Sequence, residues 1–303
     1  MIRTSRAAKA FGAVALASIL SFALTACGSD DSSGKSATGE KGDPIKIGVV
    51  NSAEESWNLF TKAAEAEGIE VELVNFSDYP LINESLANGD LDLNEFQHLQ
   101  YLAKNNVGTG QDLTPIGATA VFPLGLYSTK HESIEDIPAG AEIAIPNDDT
   151  NQARALLVLQ EAGLISLVDG GSAFSTTADI IADESTVKVT AVDAAQTAAA
   201  LPDIDGAVIN NDYVTSSGLT ADDRLYADDP DASAAEPYIN IWVSRADDAD
   251  NATYLKLVEI YHSAEVEAAA LEESGGTAVF KNNSAADLQT ILDGIVADFK
   301  ATS

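Results

Sequence analysis

From Ile45 onward, short apolar runs alternate with amphipathic stretches. Ile45 to Val50 (IKIGVV) reads as a buried strand, and Glu55 to Gly68 as a helix closing on glycine. Ile69 to Phe76 (IEVELVNF) reads as a second strand, and Leu81 to Ala87 as a short helix. Leu91 to Phe96 is a third strand or turn, followed by a helix from Gln97 to about Asn105. A second set of the same kind begins at Glu142 to Pro146 (EIAIP). It continues with a helix from about Asn151 to Ala162 and strands over Val187 to Val192 and Gly206 to Ile209. Strands alternating with helices predict parallel sheets covered on both faces, an α/β class.

Two such sets imply two lobes. The extended apolar stretches Ala120 to Ser128 and Tyr238 to Ser244 lie at the expected boundaries. Crossings there return the last third of the chain to the first lobe and leave a cleft with two hinge strands. The expected division is 45–125 plus 245–303 for lobe 1 and 126–244 for lobe 2. Beyond Ala249 the pattern is helical, with core-facing stripes Leu255, Val258, Tyr261 and Leu288, Ile291, Ile295, Phe299. Trp57 and Trp242 read as packing residues.

Upstream the pattern changes. Arg3, Arg6 and Lys9 precede an apolar run from Phe11 to Leu24, short of the roughly 20 residues that span a bilayer. A basic segment before such a run is the layout of a secretory signal, here residues 1–26. The following Leu24-Thr25-Ala26-Cys27-Gly28 resembles the bacterial lipobox, which implies cleavage before Cys27 and acylation of its thiol and new amine. One acyl chain binds membranes only reversibly; the resemblance implies a diacylglycerol and a third chain, enough for a stable anchor. Residues 27–44, rich in Gly, Ser and Asp, then read as a flexible lipid-anchored linker.

The charge narrows the function. The 303 residues hold 16 Lys+Arg against 48 Asp+Glu, a formal net charge of −32. Phosphate backbones would be repelled, so nucleic acid is excluded as a partner. One Cys excludes an internal disulfide, and three scattered His argue against a His-built metal site. No G-x-S-x-G, H-E-x-x-H, Walker or dinucleotide fingerprint occurs, so neither an enzyme nor a cofactor is expected. Ser32 and Lys35 have an S-x-x-K spacing but lie in the linker. Asp90, Asp92 and Asn94 imitate a calcium loop, but Glu95 replaces the required Gly and Tyr101 the final Glu. The acid pairs Asp148-Asp149, Asp222-Asp223 and Asp228-Asp229 read as solvated loop faces. His131 and His262 read as surface residues.

One constellation carries chemistry. Phe96, His98 and Tyr101 fall at a strand-to-helix junction, where α/β sheets place ligands. Asn151 and Arg154 lie on a helix's first turn, where a guanidinium fork and the helix dipole both favour a carboxylate. Asn210 and Asn240 each sit beside a strand end. Taken singly, Phe96 and Tyr101 also fit a core, His98 a structural histidine and Tyr79 a turn aromatic.

With the motifs NFSDY, GDLDLNEFQHLQYL, IPNDDTNQARALLVLQEAGLI, AVINNDY and PYINIWVSR in this order, the chain from about Ile45 to Phe280 resembles the MetQ/NlpA family of methionine-binding lipoproteins. The resemblance implies a two-lobed periplasmic-binding-protein-like fold, type II-like, with the ligand between the lobes. It further implies an ABC-importer component on the extracytoplasmic face, with methionine as ligand (the L form and also the D form) and permease and ATPase subunits as partners. Arg154 would clamp the α-carboxylate, and Asn210 and Asn240 would hydrogen-bond the amine and carboxylate. Tyr79, Phe96, His98 and Tyr101 would form an aromatic slot for the thioether, with Asn151 orienting the polar end. A sulfur beside aromatic rings gains about 0.3–1.5 kcal/mol, favouring methionine over a plain aliphatic chain. Asp212 departs from the usually neutral residue just beyond Asn210. Another apolar amino acid, a Met-containing dipeptide and a metal-binding lipoprotein remain as alternatives.

Overall fold

The computed structural model describes residues 36–302; the signal segment and Cys27 lie outside them. In chain order the first lobe opens with β1 (Ile45–Val50), α1 (Glu55–Ala66), β2 (Val71–Phe76), α2 (Ile82–Ala87), β3 (Leu93–His98), α3 (Leu99–Thr109), β4 (Thr114–Ala118) and β5 (Ala120–Val121). The second lobe holds β6 (Gly125–Tyr127), β7 (Glu142–Pro146), α4 (Asp149–Glu161), β8 (Lys188–Val192), α5 (Thr197–Ala200), β9 (Gly206–Ile209), α6 (Asn211–Val214) and β10 (Arg224–Ala227). The chain returns through β11 (Asn240–Ser244), α7 (Ala252–Tyr261), α8 (Ala264–Glu273), β12 (Val279–Phe280) and α9 (Ala285–Thr302).

The first sheet has the order β2-β1-β3-β11-β4 and the second β10-β6-β9-β7-β8. Within each, β1 with β2 and β3, and β7 with β8 and β9, run parallel, as alternating strands and helices require. β11 runs antiparallel between β3 and β4, and β6 antiparallel to β9. The chain thus leaves the first sheet before Gly125 and re-enters it at Asn240. The segment 240–244, expected in lobe 2 as a hinge strand, is instead an inner strand of the first sheet. Ile241, Trp242 and Val243 are all fully buried, and a strand buried on both faces has no polar alternation to distinguish it from a crossing.

Three apolar clusters hold the molecule together. One lies within the second lobe around Ile143, Ile145, Leu156 and Val208. Another covers one face of the first sheet, where Trp57, Phe60, Trp242 and Tyr261 stack edge-on and tilted at centroid distances of 5.5–6.4 Å. Trp242 points into this cluster. The third spans the lobe junction, and α9 lies against α3 and β4 there.

Three further expectations are corrected. The buried stripe of α7 is Tyr254, Leu257, Ile260 and Tyr261, while Leu255 is exposed. The helix packs Val258 over Gly117, where a Cβ would come within 2.4 Å of the Val258 side chain, so the contact face is set by β4. His131 and His262 are mostly enclosed: His131 Nε2 lies 3.1 Å from Asp205, and His262 bridges Glu267 (2.7 Å) and the Ala118 carbonyl (2.9 Å). The described end of the linker is docked, not free. Ala37 N–H donates to Asp92 at 3.1 Å, Glu70 N–H to the Gly39 carbonyl at 2.7 Å, and Ser36 to Asp248. Lacking large apolar side chains, this segment attaches through backbone groups and the Ser36 hydroxyl.

Asp92 is the hub of that attachment. It also accepts the Lys46 N–H (2.9 Å) and the Tyr254 hydroxyl (3.2 Å), with Arg245 at 3.7 Å. Asp92→Ala strands several buried donors at once. It should lower unfolding free energy by about 3 kcal/mol in urea titration and expose residues 36–43 to proteolysis.

Candidate functional site

The carboxyl ends of β3, β7 and β9 face each other across the lobe junction, the place where open α/β sheets hold ligands. The helices that follow bring their first turns to the same point. His98 caps α3 by accepting the Tyr101 N–H, and Asp148 caps α4 by accepting the Asn151 N–H. Between them runs a narrow crevice lined from both lobes. Tyr79, Phe96, His98, Tyr101, Asn151, Arg154, Asn210 and Asn240, the eight residues singled out in the sequence, all line it. So do Gln97, Phe122–Leu124, Asn211 and Asp212, which were not singled out as ligands.

The aromatic wall is built on one lobe. Tyr79 packs against Phe96 (centroids 5.6 Å) and Tyr101 (6.0 Å), and Phe96 against Tyr101 (5.7 Å). Tyr213, from the other lobe, meets Tyr79 at 5.4 Å.

The polar floor is a directed chain of hydrogen bonds. Asn151 Nδ2 donates to both Asp148 oxygens at 3.1 and 3.0 Å, which turns Asn151 Oδ1 toward the crevice as an acceptor. Asn210 Nδ2 donates to that oxygen at 2.9 Å. His98 Nε2 is 3.2 Å from it, and because His98 Nδ1 already accepts the Tyr101 N–H, the Nε2–H tautomer is the one that fits. Burial, and then the nearby Arg154 charge, push the His98 pKa down to about 3, so the ring is neutral. With Asn210 Nδ2 committed, its Oδ1 remains buried without a donor among the described residues.

Arg154 is buried but not free. Its Nε donates to Asp228 at 2.6 Å, Nη2 to Asp228 at 3.2 Å and to the Phe122 carbonyl at 2.9 Å, and its guanidinium lies 4.3 Å over Tyr238. Nη1 is the nitrogen outside these bonds. Asp228 in turn accepts the Leu124 N–H at 2.7 Å. The reading of Asp148 and Asp228 as solvated loop faces is therefore overturned: the first caps a helix and the second balances the buried cation. Asp228 lies far from Arg154 in sequence, and no local pattern marked it.

Both lobes are laced together. Tyr79 donates its hydroxyl to Asp212 at 2.7 Å, Asn51 donates to the Asp212 carbonyl, and Thr215 to the Glu273 carbonyl at 3.2 Å. Behind Asp212 a second chamber is walled by Glu54, Glu95 and Glu273. Desolvation, reinforced by neighbouring carboxylates, raises Glu54 and Glu95 to about 8 and, by burial alone, Asp212 to about 6.

Two α/β lobes meeting over a crevice at their carboxyl strand ends make the architecture of the two-lobed substrate-binding proteins. The chain belongs to the NlpA lipoprotein family, whose model matches residues 45–281. It is 40% identical over 278 residues to the D-methionine-binding lipoprotein MetQ of Salmonella typhi, covering 89% of this chain and 97% of the relative. Among solved structures, the substrate-binding protein of a methionine transporter from Streptococcus pneumoniae superposes with a TM-score of 0.73 at 37% identity, covering 78% of this chain and 95% of that one. A nutrient-binding protein from Burkholderia cenocepacia, bound to methionine, gives a TM-score of 0.72 at 36% identity, covering 78% and 99%.

The raised carboxyls set a pH dependence. A carboxyl whose folded pKa exceeds its unfolded value holds a proton more tightly when folded, so stability falls as pH climbs from about 4.5 to about 8. Glu95→Gln removes that loss. Its melting temperature should match wild type near pH 4 and exceed it by a few degrees at pH 8, read from thermal melts across that range.

Proposed function

We propose that this protein is a lipid-anchored, extracytoplasmic solute-binding protein that captures methionine and delivers it to the permease and ATPase subunits of an ABC importer. The observation that carries this is the crevice itself. One desolvated guanidinium, an orphan amide acceptor and an aromatic wall converge there in a family whose relatives include one solved with methionine bound. A zwitterion leaving water needs both charges met, or desolvation costs several kcal/mol.

In this reading Arg154 Nη1 meets the carboxylate, with Asn240 beside it. Nε and Nη2 stay on Asp228 and Phe122, so Arg154 acts as a fixed donor and not as a full two-pronged clamp. Asn210 Oδ1 accepts from the ammonium. Asn151 orients Asn210 and His98. Tyr79, Phe96 and Tyr101 enclose the thioether, whose polarisable sulfur favours ring edges. Closure of the two lobes over the solute gates its release to the permease. The anchor is the acylated Cys27; among the described residues no helix is long and apolar enough to cross a membrane.

Calorimetry on the ligand-stripped protein should show saturable heat with L-methionine and its D form. Arg154→Ala should weaken that affinity about a hundredfold. A Met-containing dipeptide or leucine bound more tightly than methionine would replace the ligand assignment and keep the class. In cells, Cys27→Ser should shift the protein from the membrane pellet to the soluble extracytoplasmic fraction; retention in the pellet would overturn the anchor.

A further inference from the structure

Asp212 stands at the start of α6, two residues beyond Asn210, with both residues on the wall of the crevice. Its Oδ2 accepts the Tyr79 hydroxyl. Among the described residues no Lys, Arg or His nitrogen pairs with it. Arg154, the guanidinium of this crevice, is already balanced by Asp228. The charged groups of the adjoining chamber, Glu54, Glu95 and Glu273, are all acids. Even a half-buried carboxylate is costly without a cation, and desolvation accordingly lifts Asp212 to about 6. Beside it, Asn210 Oδ1 is a buried acceptor with no donor among the described residues. What these walls lack is one cation carrying several N–H donors.

We propose that Asp212 is a specificity-determining residue which, with Asn210 Oδ1, receives the ammonium group of the bound solute, so that the site selects a free primary amine ahead of a free carboxylate. The ranking follows from the charges: the Arg154 cation is matched inside the protein, whereas the Asp212 anion is not. This rests on the solute-binding reading above and goes beyond it by naming the group recognised and the residue that recognises it. An ammonium supplies three donors, enough for Asp212, Asn210 and one further acceptor.

The test is calorimetry on ligand-stripped wild type, Asp212→Asn and Tyr79→Phe. The titrants are L-methionine, its 2-hydroxy analogue, which lacks the amine, and methioninamide, which keeps the amine and masks the carboxylate. Wild type should bind methioninamide more tightly than the hydroxy acid. Asp212→Asn should lose about thirtyfold for L-methionine, the size of a charge-assisted hydrogen bond, and nothing for the hydroxy acid. Tyr79→Phe, which keeps the carboxylate, should retain the amine preference. Equal losses for both ligands in Asp212→Asn, or a Tyr79→Phe variant that loses the amine preference as fully, would make Asp212 a structural latch and overturn the proposal. Wild type binding L-methionine with an affinity that Asp212→Asn leaves unchanged overturns this inference alone. Wild type giving no heat with L-methionine overturns the solute assignment and this inference together.

Discussion

A guanidinium taken out of water has to be paired, and the way Arg154 is paired organises the junction between the lobes. Asp228 accepts two of its N–H groups while also holding the Leu124 N–H, and the Phe122 carbonyl takes a third. Residues 122–124 are the segment by which the chain first enters the second lobe's sheet. One ion pair thus ties the crossing, the second turn of α4 (beyond the first turn expected for Arg154) and the exit of β10 into a single unit. Tyr238, from the stretch leading back to β11, covers the guanidinium face. Both passages of the chain between sheets are therefore fastened to the same side chain. Removing either ionic partner would leave a buried charge uncompensated, a far larger penalty than loss of a surface pair.

That arrangement also decides what the crevice asks of a ligand. Because the arginine is neutralised from within, the remaining electrostatic demand comes from acceptors: Asn210 Oδ1, Asp212 and the acid-lined chamber behind them. The neutral His98 contributes direction and no charge, since its tautomer is dictated by the α3 cap. Asn151 and Asn210 are oriented in turn, beginning at Asp148, which fixes where each amide points in the crevice. The aromatic wall belongs to the first lobe and most of the polar floor to the second, so complete recognition requires closure.

Much of the fold was legible along the chain because its signals are local. The runs at 45–50, 71–76, 142–146 and 206–209 are strands, and a helix follows each of them closely in the chain. What misled were elements whose partners lie far away. The segment 240–244 has the same apolar character whether it crosses between lobes or fills the middle of a sheet, and only pairing with β3 and β4 decides. In the α7 stripe Val258 and Tyr261 do face the core, Val258 over Gly117, and only Leu255 was misplaced, at the exposed edge of the apolar face. His131 and His262 find their partners at Asp205 and at Glu267 and Ala118, and their neighbours in sequence say nothing of the first or the last.

The chain by itself determined the class of fold, the family resemblance and the eight residues that line one crevice. Each is written in composition or in short-range spacing. Tertiary structure alone decided that Arg154 is shared with Asp228, that Asp212 faces the crevice without a cation, and that residues 36–43 dock on the first lobe. The physical reason is that charge compensation and backbone docking depend on distance in space. Acids are so frequent here that no sequence pattern tells the two that serve the crevice from the many that face water.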